Sequence, residues 1–254
     1  MGLLAKSLPM TQKSITSFKT AYQDGSMESL SVALNRQFGA VLKECSDVTK
    51  VNPLLAAILI YIEGKPNGKK AWLESEFTGY SPENPDNGRY IGISQVDVKT
   101  AAYVLFIEYR NSALTDTELV FMKESIGNSK TTQLYDKIKL SKKQASPSDW
   151  LATSAKKLIY DGLYQSTSFN MLIGQIYFGQ CLDKHAGIAS RYDKAYYAYN
   201  QGINTKFPIT TNTDALLEAQ KQANGLFLKE NGKNYILKSV GLHSPFWFLE
   251  SHFN

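Results

Sequence analysis

The chain has little cysteine, little histidine and no long apolar run, and each shortage removes a class of protein. Its two Cys, Cys45 and Cys181, lack the spacing of a metal or redox pair in a chain of 254 residues. They exclude a disulfide scaffold and read as buried thiols. The three His, His185, His243 and His252, form no His-Glu-x-x-His pair, so a zinc hydrolase has no support. The longest uncharged apolar run, Leu54 to Ile62, is about half of the ~18 residues that a membrane span needs. No transmembrane segment is expected. Basic runs are missing too: 28 Lys+Arg against 23 Asp+Glu leave only +5, and no cluster of the kind that tracks phosphates occurs. Nucleic acid is not an expected partner, and a carboxylate-bearing polymer suits the charge equally well.

Other signatures are also absent. There is no Gly-x-Ser-x-Gly elbow for a nucleophilic serine. Gly64-Lys65-Pro66-Asn67-Gly68-Lys69 is one residue short of a phosphate loop, follows a helical pattern and has no Ser or Thr after Lys69. No metal or cofactor is expected, and catalysis would have to rest on carboxylates, Tyr, Ser or backbone. The N-terminus has too short an apolar block for a signal peptide, and Lys6 breaks the myristoylation pattern. If the protein works outside a cytoplasm, something other than a standard export signal is expected to take it there.

What remains is an ordinary globular composition, 43% hydrophobic and 20% charged, with a rich 12% of aromatics. The length suits one or two domains. Residues 51–100 are net acidic within the basic chain. The Lys-rich stretch from Lys130 to Lys157 reads as a solvated helical face, or as a surface that attracts carboxylate-bearing polymers.

Periodicity is mostly helical. Leu30, Ala33, Leu34, Phe38, Val41 and Leu42 recur at helical spacing and predict one or two amphipathic helices in residues 1–48. Asn52 is a good N-cap, Pro53 suits the first helical position, and Leu54, Leu55, Ile58, Leu59 and Ile62 form an apolar stripe that Gly64 and Pro66 end. Residues 78–92 read as a loop, and Tyr90–Val96 as a strand-like or irregular piece. Further helices are expected over 99–110, 116–125, 131–140, 150–160, 170–184, 193–199 and 214–228. Turns are expected at Ser146-Pro147-Ser148 and Asp161-Gly162. The Phe246-Trp247-Phe248 cluster reads as a core-docking tail.

Glu63 is the residue with the clearest chemistry. It lies one turn beyond Leu59 and two beyond Leu55, so the helix sets its carboxyl on an apolar row. It also falls in the last turn, where the negative end of the helix dipole opposes an anion. Desolvation and dipole both raise its pKa and favour the protonated form that a general acid needs. A Glu at a frayed helix end, reaching to solvent or Lys65, is the alternative.

Three segments in order resemble the soluble lytic transglycosylase and goose-type lysozyme superfamily. Asn52-Pro53-Leu54-Leu55 to Tyr61-Ile62-Glu63 is similar to its catalytic helix. Gly92-Ile93-Ser94-Gln95-Val96-Asp97 resembles its Gly-Leu-Met-Gln segment, with the Val-Asp continuation of goose-type lysozymes. Ala198-Tyr199-Asn200-Gln201-Gly202 is similar to its Ala-Tyr-Asn-Ala-Gly motif, preceded by a helix that opens at Asn170 and carries Tyr177. The resemblance covers about Val51 to Gly202. It implies a mainly α, lysozyme-like α+β domain over residues 49–254, with a small β or loop lobe at 78–97, a helical N-terminal extension over 1–48 and a C-terminal helical tail.

The resemblance also implies an activity. Glu63 would protonate the glycosidic oxygen between N-acetylmuramic acid and N-acetylglucosamine, then act as base on the sugar's 6-hydroxyl, giving a 1,6-anhydro product. Ser94, Gln95, Tyr199 and Asn200 would line the cleft. In the goose-type alternative, water placed by Asp86 or Asp97 attacks instead, two carboxyls with a water between them being the signature of inversion. Either Asp has a structural reading as well, Asp86 as a turn residue and Asp97 as the N-cap of the helix at Lys99. Gly64 stands where the family has Ser, Ser94 where it has Met, and the separation of Glu63 from Gly92 is longer than usual. Within that insertion, Glu74-Ser75-Glu76-Phe77 resembles the family's Glu-Ser-x-Phe, so Glu74 competes for the acid role. Ser81 is a lesser candidate for a cleft serine. Tyr196, Tyr197 and Tyr199 either stack on sugars or fill a helix interface. An inactive structural or glycan-binding component of a virion or secretion machine is the third reading.

Overall fold

The computed structural model describes residues 27–64, 90–111, 114–140, 153–185 and 192–206. These residues form eight helices: α1 Met27–Thr49, α2 Pro53–Gly64, α3 Val98–Asn111, α4 Asp116–Ile126, α5 Asn128–Leu140, α6 Thr153–Gln165, α7 Thr167–His185 and α8 Tyr192–Gln201. None of them is long and apolar enough to cross a membrane.

Helix α7 is the axis of the fold. Every residue from Thr167 to Phe178 is buried, because α1, α3, α4, α6 and α8 pack around it. A helix covered on all sides needs apolar residues all round instead of one stripe. Phe169, Met171, Leu172, Ile173 and Phe178 meet that demand and are fully buried. The shell contributes Leu42 and Cys45 from α1, Val104 from α3, Phe121 and Met122 from α4, and Ala195 and Ala198 from α8. Of the one or two helices expected in residues 1–48, α1 is the one among the described residues, and its C-terminal half belongs to the common core; residues 1–26 lie outside the described residues. Ser46 and Thr49 tie it to α7, their hydroxyls lying 3.1 Å and 3.0 Å from Gln175 Oε1. Cys45 and Cys181 are buried free thiols, and burial holds both well above the ordinary thiol range, Cys181 at about 12.

Local chemistry sets the helix boundaries. Thr115 and Glu118 form a reciprocal capping box at the start of α4, satisfying two backbone N–H groups. Gly127, at φ +91°, separates α4 from α5. Ser166 alone separates α6 from α7, its hydroxyl accepting the Phe169 N–H at 3.2 Å, so α7 starts at Thr167 and not at Asn170. The turn expected at Asp161-Gly162 is not there, because α6 runs on to Gln165. Gly162 serves close packing instead: a Cβ on it would lie 2.9 Å from the Phe169 ring.

The expected β lobe is reduced among the described residues to one antiparallel bridge, Ile91 with Val96. The chain reverses within the four residues between them, which leaves no length for a ladder. Residues 78–89, the helix expected over 214–228, the turn at 146–148 and the Phe246-Trp247-Phe248 cluster lie outside the described residues.

Candidate functional site

Residues 90–97, between α2 and α3, make a tight reversal held by its own backbone. Ile91 N–H donates to Val96 O at 3.0 Å, Val96 N–H to Ile91 O at 3.2 Å, and Gln95 N–H to Gly92 O at 3.2 Å. The reversal uses two left-handed residues, Gly92 at φ +69° and Gln95 at φ +50°. Gly92 adopts that conformation without a steric penalty, whereas a residue with a Cβ does not. Gln95 offsets part of the strain by folding its side chain back, Nε2 donating to Gly92 O at 2.8 Å. Ile91, Ile93 and Val96 are buried and pin the turn to the core, leaving Gln95 at its rim.

Ser94 is the point where this turn meets α7. Its N–H donates to Asn170 Oδ1 at 2.9 Å, and its carbonyl accepts the Tyr199 hydroxyl at 2.6 Å. The approach is possible because position 174 carries no side chain: a Cβ there would lie 2.4 Å from Ser94 Cβ and 2.7 Å from its Oγ.

Helix α8 joins this turn to α2. The Tyr199 ring packs against Tyr177 at 5.2 Å between centroids and edge-on to Phe178 at 6.0 Å. Three residues earlier on the same face, Tyr196 stacks on Phe178 and donates its hydroxyl to Leu55 O at 2.9 Å. Leu55 lies two turns before Glu63 in α2, so α8 fixes the helix of the candidate acid and the turn of Gln95 in one frame. Tyr196 and Tyr199 are buried, which decides in favour of the helix-interface reading for these two rings.

Glu63 sits in the last turn of α2, partly exposed. Burial raises its carboxyl from the ordinary 4.5 to about 7, so a large fraction is protonated near neutrality. The Tyr199 hydroxyl is held well above its usual range, first by burial and next by the negative charge of Glu63, with a smaller contribution from Asp97. The charges of Glu63 and Asp97 thus both reach the hydroxyl that holds the Ser94 carbonyl. A neutral carboxyl is a proton donor, and the Tyr199 hydroxyl, with its hydrogen committed to Ser94, can only accept from a further group.

Of the expected residues, Ser94 and Tyr199 are in direct contact, Gln95 follows Ser94 in the turn, and the charges of Glu63 and Asp97 act on the Tyr199 hydroxyl. Asn200 is exposed at the end of α8, and its carbonyl oxygen accepts from Gln201 Nε2. Asp97 is the N-cap of α3, Oδ1 accepting the Thr100 N–H at 2.6 Å. Glu74, Ser81 and Asp86 lie outside the described residues. Among the described residues, no group of three or more His, Cys, Asp or Glu converges to hold a metal. Sequence reasoning left out Gly174 and the interior role of Asn170. A Gly and an Asn inside a buried apolar segment were the available signal, since such a segment favours neither unless something approaches it closely. No family model, curated protein or solved structure matches the chain.

Proposed function

We propose that the protein cleaves peptidoglycan glycan strands as a lytic transglycosylase on a lysozyme-like helical domain, with Glu63 as its single acid and base. The observation that carries this reading is a Glu63 carboxyl raised to about 7 by burial, beside a Tyr199 hydroxyl that feels its charge. In its neutral form Glu63 donates its proton to the glycosidic oxygen as the bond from C1 of N-acetylmuramic acid breaks. The resulting carboxylate then takes the proton of the same sugar's 6-hydroxyl as O6 bonds to C1. The product is a 1,6-anhydro sugar and Glu63 ends protonated, ready for the next cycle. A pKa near the working pH suits a group that must give and take a proton in turn. On this reading Gln95, at the rim of the turn, orients the sugar, and Tyr199 supports that turn through the Ser94 carbonyl.

Hydrolysis by water placed on Asp97 draws less support, because the Asp97 carboxylate is already engaged in capping α3. Digestion of purified sacculi with the full chain, followed by mass spectrometry, separates the readings. Anhydro ends are the expected result, and reducing ends would replace the transglycosylase with a hydrolase. Glu63→Gln is expected to abolish lysis. Undiminished lysis by that variant would remove Glu63 from the mechanism and transfer the acid role to Glu74. No lysis by the unaltered chain would leave the inactive, glycan-binding reading.

A further inference from the structure

Asn170 is fully buried in α7 between Phe169 and Met171, where an apolar side chain would suit the core better. All three of its interactions go to main-chain groups outside its own helix. Nδ2 donates to Ile91 O at 2.8 Å and Leu163 O at 3.3 Å, and Oδ1 accepts from Ser94 N–H at 2.9 Å. Both amide hydrogens are spent, and the two residues held in the turn lie on either side of Gly92 and Ile93. The contact is close: a Cβ on Gly92 would lie 2.4 Å from Asn170 Nδ2. On its far side the Ser94 carbonyl is held by Tyr199. The peptide groups that lead into Gln95 are therefore clamped from two helices.

We infer that Asn170 is a positioning residue, which fixes the turn that presents Gln95 by gripping the Ile91–Ser94 backbone from inside the core. A buried amide is expensive unless every polar atom is satisfied, and a fully satisfied one selects a single arrangement. The link to Leu163 refers the turn to α6 as well as α7, so neither helix can shift without moving it. The consequence for rate rests on the glycan-cleaving reading; the consequence for the turn does not.

Asn170→Asp separates positioning from mere packing, because it keeps the shape and the acceptor while an ionised carboxylate cannot donate to Ile91 O. A protonated one can. With soluble glycan fragments of alternating N-acetylglucosamine and N-acetylmuramic acid, the variant-to-wild-type ratio of kcat should fall at least about tenfold at pH 8, through the loss of both Nδ2 donations, to Ile91 O and Leu163 O. The ratio should recover as the pH falls toward 5. Taking the ratio removes the titrations of Glu63 and Tyr199 that both proteins share. A ratio that stays near one at every pH would overturn the inference. Amide hydrogen exchange tests it without activity. In the unaltered chain Ser94 N–H should be protected like a helix amide, and in Asn170→Ala it should lose at least about tenfold of that protection while Leu172 and Phe178 keep theirs. Free exchange at Ser94 in the unaltered chain, or equal loss along α7 in the variant, would refute the clamp. If the unaltered chain cleaves no glycan, the functional reading fails and the exchange result alone decides Asn170.

Discussion

Gly174→Ala sets two well-known tendencies against each other in one substitution. On helix propensity alone, Ala in place of Gly inside α7 should stabilise the protein by about 1 kcal/mol. The tertiary contacts say the opposite. The new methyl would lie 2.4 Å from Ser94 Cβ, 2.7 Å from Ser94 Oγ and 3.2 Å from the Tyr199 hydroxyl oxygen, whereas carbon atoms in contact rest at about 3.5–4.0 Å. Ser94 would have to retreat by about 1 Å. It is held by the Asn170 bond on its N–H and the Tyr199 bond on its carbonyl, each worth about 1 kcal/mol net. Breaking both and straining the core costs about 3 kcal/mol or more, so the net effect is a loss of about 2 kcal/mol. Thermal unfolding should then show a Tm lower by about 4–8 °C. Adding Ser94→Gly removes two of the three contacts and should recover part of the loss. A Tm for Gly174→Ala equal to or above that of the unaltered chain would refute the close approach of the turn to α7, and with it the joining of Ser94 to Tyr199.

The raised carboxyl of Glu63 predicts a pH dependence of both rate and stability. As an acid it must be protonated, so cleavage should hold at low pH and fall as the pH rises through about 7. A pKa raised by folding means that the native state binds the proton more tightly than the unfolded chain. Stability is therefore present in full below the ordinary 4.5 and is lost as the pH climbs to about 7, by at most about 3 kcal/mol. Glu63→Gln should match the unaltered chain in denaturant midpoint at acid pH and exceed it at pH 8; equal midpoints at pH 8 would mean that the carboxyl is not desolvated. Asp97→Ala should remove the cap of α3 at a cost of about 1 kcal/mol, measurable by urea unfolding, with anhydro products unchanged in type. A switch of product or a full loss of cleavage in that variant would restore Asp97 to the chemistry.

Much of the helical frame was legible because its signals are local. Asn52 and Pro53 mark the start of α2, since a cap and its N–H groups lie within four residues. Glu63 was legible in the same way, from its place on an apolar row one turn beyond Leu59. Gly162 was misread for an instructive reason: glycine signals a turn by its backbone and a close approach by its missing side chain, and only the Phe169 ring, brought over it by the packing of α7 on α6, distinguishes the two. Tyr199 was legible as a residue of interest, but its burial against Tyr177 and Phe178, and its bond to a carbonyl 105 residues away, depend on how α8 crosses α7.

Sequence by itself determined the predominance of helix, the absence of a membrane-spanning run within the chain, and the candidacy of Glu63, because composition, period and capping act over a few residues. Tertiary structure alone decided that Ser94 is held between Asn170 and Tyr199 over a glycine at 174, and that Tyr196 carries α2 into the same frame. Hydrogen bonds between groups far apart in the chain have no periodic trace. They exist only once a buried helix has brought its neighbours to within about 3 Å.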